Sequence, residues 1–196
     1  MKDPCFRHPS FVYEETVLPR AEPIIDSFAS VITPNSRIID IGAGKGLLAQ
    51  EMARRFNARV TMVDVARYNQ TDLPLTICDS RALAFADDSF DVALLSFVLH
   101  HSPHPDAILR EALRVAREVV VVENDVRGAV RGAATRLIDS WPAIRYGTPP
   151  CHFSRPRDEW LAWFANFPVE TQVLREFALE FGFFHNLTVL LKKDRR

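Results

Sequence analysis

Apolar and polar positions come in blocks along this chain that predict a strand followed by a helix, several times over. Arg37 to Ile41 (RIIDI) is a short apolar run ending at glycines, the pattern of a buried strand. Leu47 to Phe56 then places Leu48, Met52 and Phe56 at helical spacing. Arg59 to Val63 (RVTMV) reads as a strand that ends at Asp64, and Leu75 to Cys78 as a shorter one that ends at Asp79. Asp91 to Leu95 (DVALL) is entered from the turn-like ADDS. Asp106 to Ala116 carries Ile108, Ala112 and Val115 on one helical face, and Val119 to Val122 (VVVV) reads as a strand buried on both sides. Such alternation predicts a parallel sheet with right-handed crossovers.

The flanks differ in character. Ala21 to Ile32 predicts a helix with Ile24, Ile25, Phe28 and Ile32 on one side, broken by TPNS at 33–36. Past Asn124, Val130 to Ile138 reads as helical, Ser140 to Pro150 as loop, and Arg157 to Phe167 as a helix bearing Trp160, Trp163, Phe164 and Phe167. Val169 to Phe177 and Phe184 to Leu191 read as two strands joined near Gly182, an antiparallel pair closing a parallel sheet. The organisation expected is an extension with a lid helix over 1–34 and one α/β domain over 35–196.

Composition narrows the class. A chain of 196 residues with 47% apolar residues forms one ordinary domain, with room for a modest extension. A net charge of −1 offers no polyanion-binding surface, which disfavours nucleic acid as a partner. Cys5, Cys78 and Cys151 are far apart, form no metal-ligand pair and read as reduced thiols. The opening MKDPCFRHPS lacks the apolar core of a signal peptide, and the longest apolar run is strand-sized, so the expectation is a cytoplasmic protein without a membrane span.

The sharpest chemical signal is Asp40-Ile41-Gly42-Ala43-Gly44-Lys45-Gly46, between a predicted strand and a predicted helix. Glycines there allow positive φ and close approach of a ligand to backbone N–H groups. A dinucleotide fingerprint requires a third glycine where Leu47 stands, and a phosphate-binding loop requires Ser or Thr where Gly46 stands. Asp64, 18 residues past Gly46, stands where an acid accepts hydrogen bonds from both hydroxyls of a ribose.

The D-x-G-x-G-x-G loop resembles that of class I S-adenosylmethionine-dependent methyltransferases. The block from Leu83 to Ala116 resembles their type 11 group, the ubiquinone/menaquinone-biosynthesis kind. It has the acidic turn Asp87-Asp88-Ser89, Phe90-Asp91 opening the fourth strand, Ser96 closing it, a histidine pair and an L-R-E-A-L-R-V helix. The resemblance implies a Rossmann-like methyltransferase fold: a mostly parallel seven-stranded sheet, an antiparallel C-terminal strand, and helices on both faces. It implies S-adenosylmethionine as cofactor, held by Asp40, Gly42, Ala43, Gly44, Gly46, Asp64, Val65, Asp79, Ser80 and Ser96. Asp79 would bond the adenine amino group. Two departures stand out. Ala116-Arg117-Glu118 replaces the proline-glycine-glycine turn usual before strand five, and only 15 residues separate Asp64 from Asp79, which leaves little room for a helix.

Methyl transfer from a sulfonium needs alignment and exclusion of water, and a general base when the acceptor carries a proton. His101 and His100, just past the fourth strand, are the candidates. His101 is favoured, because His100 follows the apolar Phe97-Val98-Leu99 and is expected to face inward. Ser102 and Pro103 interrupt any His100–His104 metal arrangement, so no metal is expected. Trp160, Trp163, Phe164 and Phe167 would wall a pocket for an apolar or aromatic small-molecule acceptor or, as such helical spacing more often means, form plain core or a dimer interface. Tyr146 to Phe153, Tyr13 and Arg20 are candidates for a lid surface. The competing readings are a noncatalytic cofactor-binding module and an NAD-dependent oxidoreductase, the latter opposed by Leu47.

Overall fold

Residues 18–126, 155–179 and 184–194 are described by the computed structural model of this protein. The apolar runs line up as one seven-stranded sheet. In chain order its elements are α1 (Leu18–Asp26), a 3-10 turn (Ala29–Val31), β1 (Arg37–Ile41), α2 (Leu47–Phe56), β2 (Arg59–Asp64) and β3 (Leu75–Ile77). Then come β4 (Phe90–Ser96), a second 3-10 turn (Leu99–His101), α3 (Pro105–Val115), β5 (Ala116–Asn124), α4 (Arg157–Phe164), β6 (Val169–Leu179) and β7 (Phe184–Lys193). The spatial order is β3-β2-β1-β4-β5-β7-β6. The first five strands run parallel, and β7 is antiparallel to both its neighbours. The strand order reverses beside β1, where ligands of open α/β sheets bind.

Period-two alternation sends the central strands' side chains to two cores. Ile39, Ile41, Ala93, Leu95, Val119 and Val121 pack under α3 and α4 with Leu109, Trp160 and Phe164. Ile38, Val92, Leu94, Val120 and Val122 pack on the other side with Met52 and with Ile24, Ile25 and Phe28. Helices thus cover both faces, which is why the central strands read as continuous apolar runs.

Two elements differ from their expectations, and the short spacing between Asp64 and Asp79 is borne out. The helix expected to reach Ile32 stops at Asp26, where the Ser27 hydroxyl donates to the Ile24 carbonyl (2.6 Å) and also meets Thr188 Oγ1 of β7 (2.6 Å). The strand expected at Val119–Val122 begins at Ala116, directly after α3. The three residues that replace the glycine turn pair with β4, Ala116 opposite Phe90 and Glu118 opposite Val92. No helix forms between β2 and β3. Asn69 instead organises a loop, its side chain donating to Leu73 O and accepting from Thr71 N and Oγ1. The features expected at Val130–Ile138, Ser140–Pro150, Gly182, Tyr13 and Tyr146–Phe153 lie outside the described residues.

Candidate cofactor site at the strand ends

Gly42, Gly44 and Gly46 all take positive φ (75°, 55° and 78°). The loop is tied to β2: the Gly42 and Ala43 amides donate to Val63 O (2.8 and 3.1 Å), and the Gly44 amide donates to Asp64 Oδ2 (2.8 Å). The glycines serve different ends. A Cβ on Gly42 would lie 2.5 Å from Val98 Cγ2, and one on Gly46 2.6 Å from Asn69 Oδ1, so those two are demanded by packing. A Cβ on Gly44 would meet nothing within 4 Å. Gly44 therefore faces open space, as a residue over which a ligand lies must.

Asp64 is buried at the end of β2. Its Oδ1 also accepts from Val65 N (2.7 Å) and Ala66 N (3.4 Å), so the carboxylate fixes the loop as well as facing the site. Asp40 lies below the loop at 2% exposure. Burial, and then the charge of Asp64, push its carboxyl up to about 7. Asp40 Oδ2 and Ser96 Oγ, at the ends of the adjacent strands β1 and β4, are shut off from solvent and have no hydrogen-bond partner among the described residues. Buried polar atoms are normally satisfied, so this pair marks a place for a cationic or hydrogen-bonding group.

Next to the loop runs a groove of about 580 Å³, lined by Val65, Ile77, Cys78, Asp79, Ser80, Arg81, Ser102, Pro103, His104 and Ile108. Val65 and Ile77 are the large apolar side chains exposed among the described residues, at 55% and 44%. Their place in one groove is what a flat, partly apolar ligand requires. Asp79 at its rim is held at about 2 by the Arg81 guanidinium, which grips both carboxylate oxygens. Ser80 beside it is buried. The wall on the far side comes from Pro103, His104 and α3, and so stands without the missing helix. A larger hollow of about 930 Å³ sits at the amino ends of the strands. Most of its charges are paired, Arg117 with Asp91, Lys192 with Glu118 and Lys193 with Asp88, and it lies away from the glycine loop.

The comparisons agree with this geometry. Residues 39–121, from β1 into β5, match a family model described as a methyltransferase domain, of type 11. Over that stretch the chain resembles type 11 methyltransferase domains. It is 30% identical over 133 residues to a demethylmenaquinone methyltransferase of Renibacterium salmoninarum, covering 62% of this chain and 55% of that one. It is 31% identical over 108 residues to the ubiquinone/menaquinone biosynthesis C-methyltransferase UbiE of Burkholderia mallei, covering 47% and 44%. The chain thus spans about half the length of these curated relatives. Among solved structures it resembles the YcgJ protein of Bacillus subtilis (TM-score 0.68, 14% identity, 89% and 99% covered). It also resembles a SAM-dependent methyltransferase of Methanosarcina mazei (0.62, 20%, 87% and 97%). These two likenesses show the fold.

The turn after β4 holds the two candidate histidines side by side. His100 is buried at 3% exposure and His101 is half-buried, with ring centroids 4.1 Å apart and planes tilted by 41°. His100 Nδ1 lies 2.5 Å from Glu123 Oε2. Glu123, at the end of β5, was not among the residues singled out by sequence. A charged residue directly after the apolar Val119–Val122 run is the signal its sequence offers. The aromatic cluster resolves as core: Trp160, Phe164 and Phe167 are buried against α3 and β5, and the Trp160 indole donates to Asn124 O (3.0 Å). Of the readings open for these rings, burial supports plain core for Trp160, Phe164 and Phe167. Trp163 remains partly exposed and donates to Asp106 Oδ1 (3.0 Å).

Proposed function

We propose that this chain transfers a methyl group from S-adenosylmethionine to a small-molecule acceptor. The observation that carries this is the open space over Gly44, framed by the unpartnered carboxyl oxygen of Asp40 and the apolar groove beside Asp64. The residues fit the cofactor's parts. The open space over Gly44 and the buried Asp40 suit the methionine part with its ammonium, Asp64 the ribose hydroxyls, and Val65 and Ile77 the faces of an adenine, with Asp79 and Ser80 at its edge. Bound there, the cofactor supplies an electrophilic methyl group on a sulfonium. The protein's share is to hold it, align the acceptor and keep water out. His101 and His100 stand as the groups able to take a proton. Relatives named for menaquinone and ubiquinone biosynthesis favour an apolar, ring-bearing acceptor. We place a closing extension in residues 1–34 and the methyltransferase domain in 35–196. Among the described residues no helix is long and apolar enough to cross a membrane.

Asp64→Ala is expected to leave the protein folded and weaken S-adenosylmethionine binding by at least about tenfold, through loss of charge-assisted hydrogen bonds. Calorimetry showing unchanged affinity rejects the ribose assignment. Val65→Ser should weaken the same ligand several-fold, since roughly 1 kcal/mol of apolar contact is lost, with little change in melting temperature because Val65 is already exposed. A large stability loss instead would mean that Val65 belongs to the core.

A further inference from the structure

Glu123 has the properties of a residue retained for more than packing. It is 1% exposed, and both of its oxygens are engaged with the histidine turn. Oε1 accepts from Leu99 N (2.8 Å), and Oε2 contacts His100 Nδ1 (2.5 Å). The turn is further clamped to β5 by Phe97 N donating to Val122 O (2.8 Å). Phe97 takes a φ of 57°, backbone strain that the surrounding bonds hold in place. Val98, next along, abuts Gly42 of the cofactor loop, so the turn lies between the cofactor site and the end of β5. Taking a carboxylate out of water is costly and is offset only by close partners. An apolar residue would close the strand at lower cost, as Val119 to Val122 do before it.

We propose that Glu123 is a positioning residue of this site. It keeps a proton on His100 Nδ1, and through the adjacent, tilted rings it supports positive charge on the half-buried His101, which takes a proton from the acceptor. The assignment rests on the methyltransferase reading and deepens it: the acceptor is a group that loses a proton on methylation, a hydroxyl or a carbon activated by one. In the hydroxyl case the O–H bond breaks and its proton goes to His101. The electron pair left on oxygen takes the methyl group, whose former bonding pair stays with the cofactor sulfur as a neutral thioether. An anion fixed in a low-dielectric setting one ring away lowers the cost of the imidazolium. The other charged groups about the turn are Arg155, attracted to Asp106, Glu159 and Glu123, and Asp79, which interacts with His104. Arg155 lies over the Trp160 and Trp163 rings with its Nη1 shut off from solvent, and Glu123 contacts the His100 ring directly.

Glu123→Gln separates this role from a mere clamp. The amide keeps the shape and the carbonyl acceptor for Leu99, but it removes the charge and offers His100 Nδ1 a donor in place of an acceptor. In the nitrogen-15-labelled wild-type protein without cofactor, NMR should show His100 protonated on Nδ1 at neutral pH. The His101 titration midpoint should fall by about one unit or more in Glu123→Gln. Turnover should fall about tenfold to a hundredfold, with the acid limb of its pH profile moved to lower pH, while S-adenosylhomocysteine affinity stays within about twofold. An unprotonated Nδ1 in the wild type, or an unmoved His101 midpoint in a folded variant, overturns the proposal. Should Glu123→Gln fail to fold, the wild-type tautomer decides by itself. Failure of the wild type to bind S-adenosylhomocysteine would strike the underlying reading instead.

Discussion

Asp40→Asn is expected to stabilise the protein in neutral and alkaline buffer while weakening its hold on the cofactor. The sign follows from the folded-state pKa of about 7 against an ordinary value of 3.8. Between those two pH values the folded chain holds a proton that the unfolded chain has released, so the wild type loses stability as pH rises from about 4 to 7. Above pH 7 the loss is complete, on the order of 4 kcal/mol at 1.36 kcal/mol per unit. Asn carries no such penalty. Melting temperatures measured from pH 5 to pH 8.5 should fall for the wild type and stay nearly level for the variant, the two being closest at the acid end. Parallel curves would mean that Asp40 is already balanced by a partner. The cofactor's ammonium would supply that partner in the complex. Wild-type affinity should therefore rise with pH through 7 and binding should release protons, seen as a buffer-dependent heat. Asp40→Asn should show neither effect and bind at least about tenfold more weakly.

Gly44→Val is expected to fold and to abolish cofactor binding. No atom lies within 4 Å of the position a Cβ would take, so the side chain does not break packing. It occupies the ligand's space, and a β-branched residue resists φ 55°. Affinity should fall by about a hundredfold or more, beyond what one lost hydrogen bond explains. Gly42→Ala gives the contrast. Its Cβ would overlap Val98 Cγ2, so it should lose about 1–3 kcal/mol of stability in denaturant titration. If Gly44→Val binds normally, the loop is only a turn.

Much of the architecture is legible because the central strands are buried on both faces. RIIDI, DVALL and VVVV are apolar for that reason, and acids mark the carboxyl ends of the first three strands, Asp40 in β1, Asp64 closing β2 and Asp79 just past β3. What is not legible comes from contacts distant in sequence. Ala116-Arg117-Glu118 has no strand signature of its own and is extended because β4 pairs with it. Ser27 ends α1 through a partner on β7. Glu123 is unremarkable beside Asn124 until the fold brings it against His100, 23 residues away. Asp64 reads as a ribose acid in sequence, and its second task of holding the Gly44 amide appears only with the loop in place. The aromatic residues near α4 have helical spacing that suits a pocket wall or a core, and burial decides for the core.

The central claim is that the glycine loop, Asp40 and Asp64 form an S-adenosylmethionine site. Isothermal titration of S-adenosylhomocysteine into the wild-type protein and into Gly44→Val, with NAD as the control ligand, tests it most directly. The account predicts saturable one-to-one binding to the wild type, none to the variant, and none of NAD to either. No saturable heat with the wild type, equal binding by both proteins, or a saturable titration with NAD would contradict it.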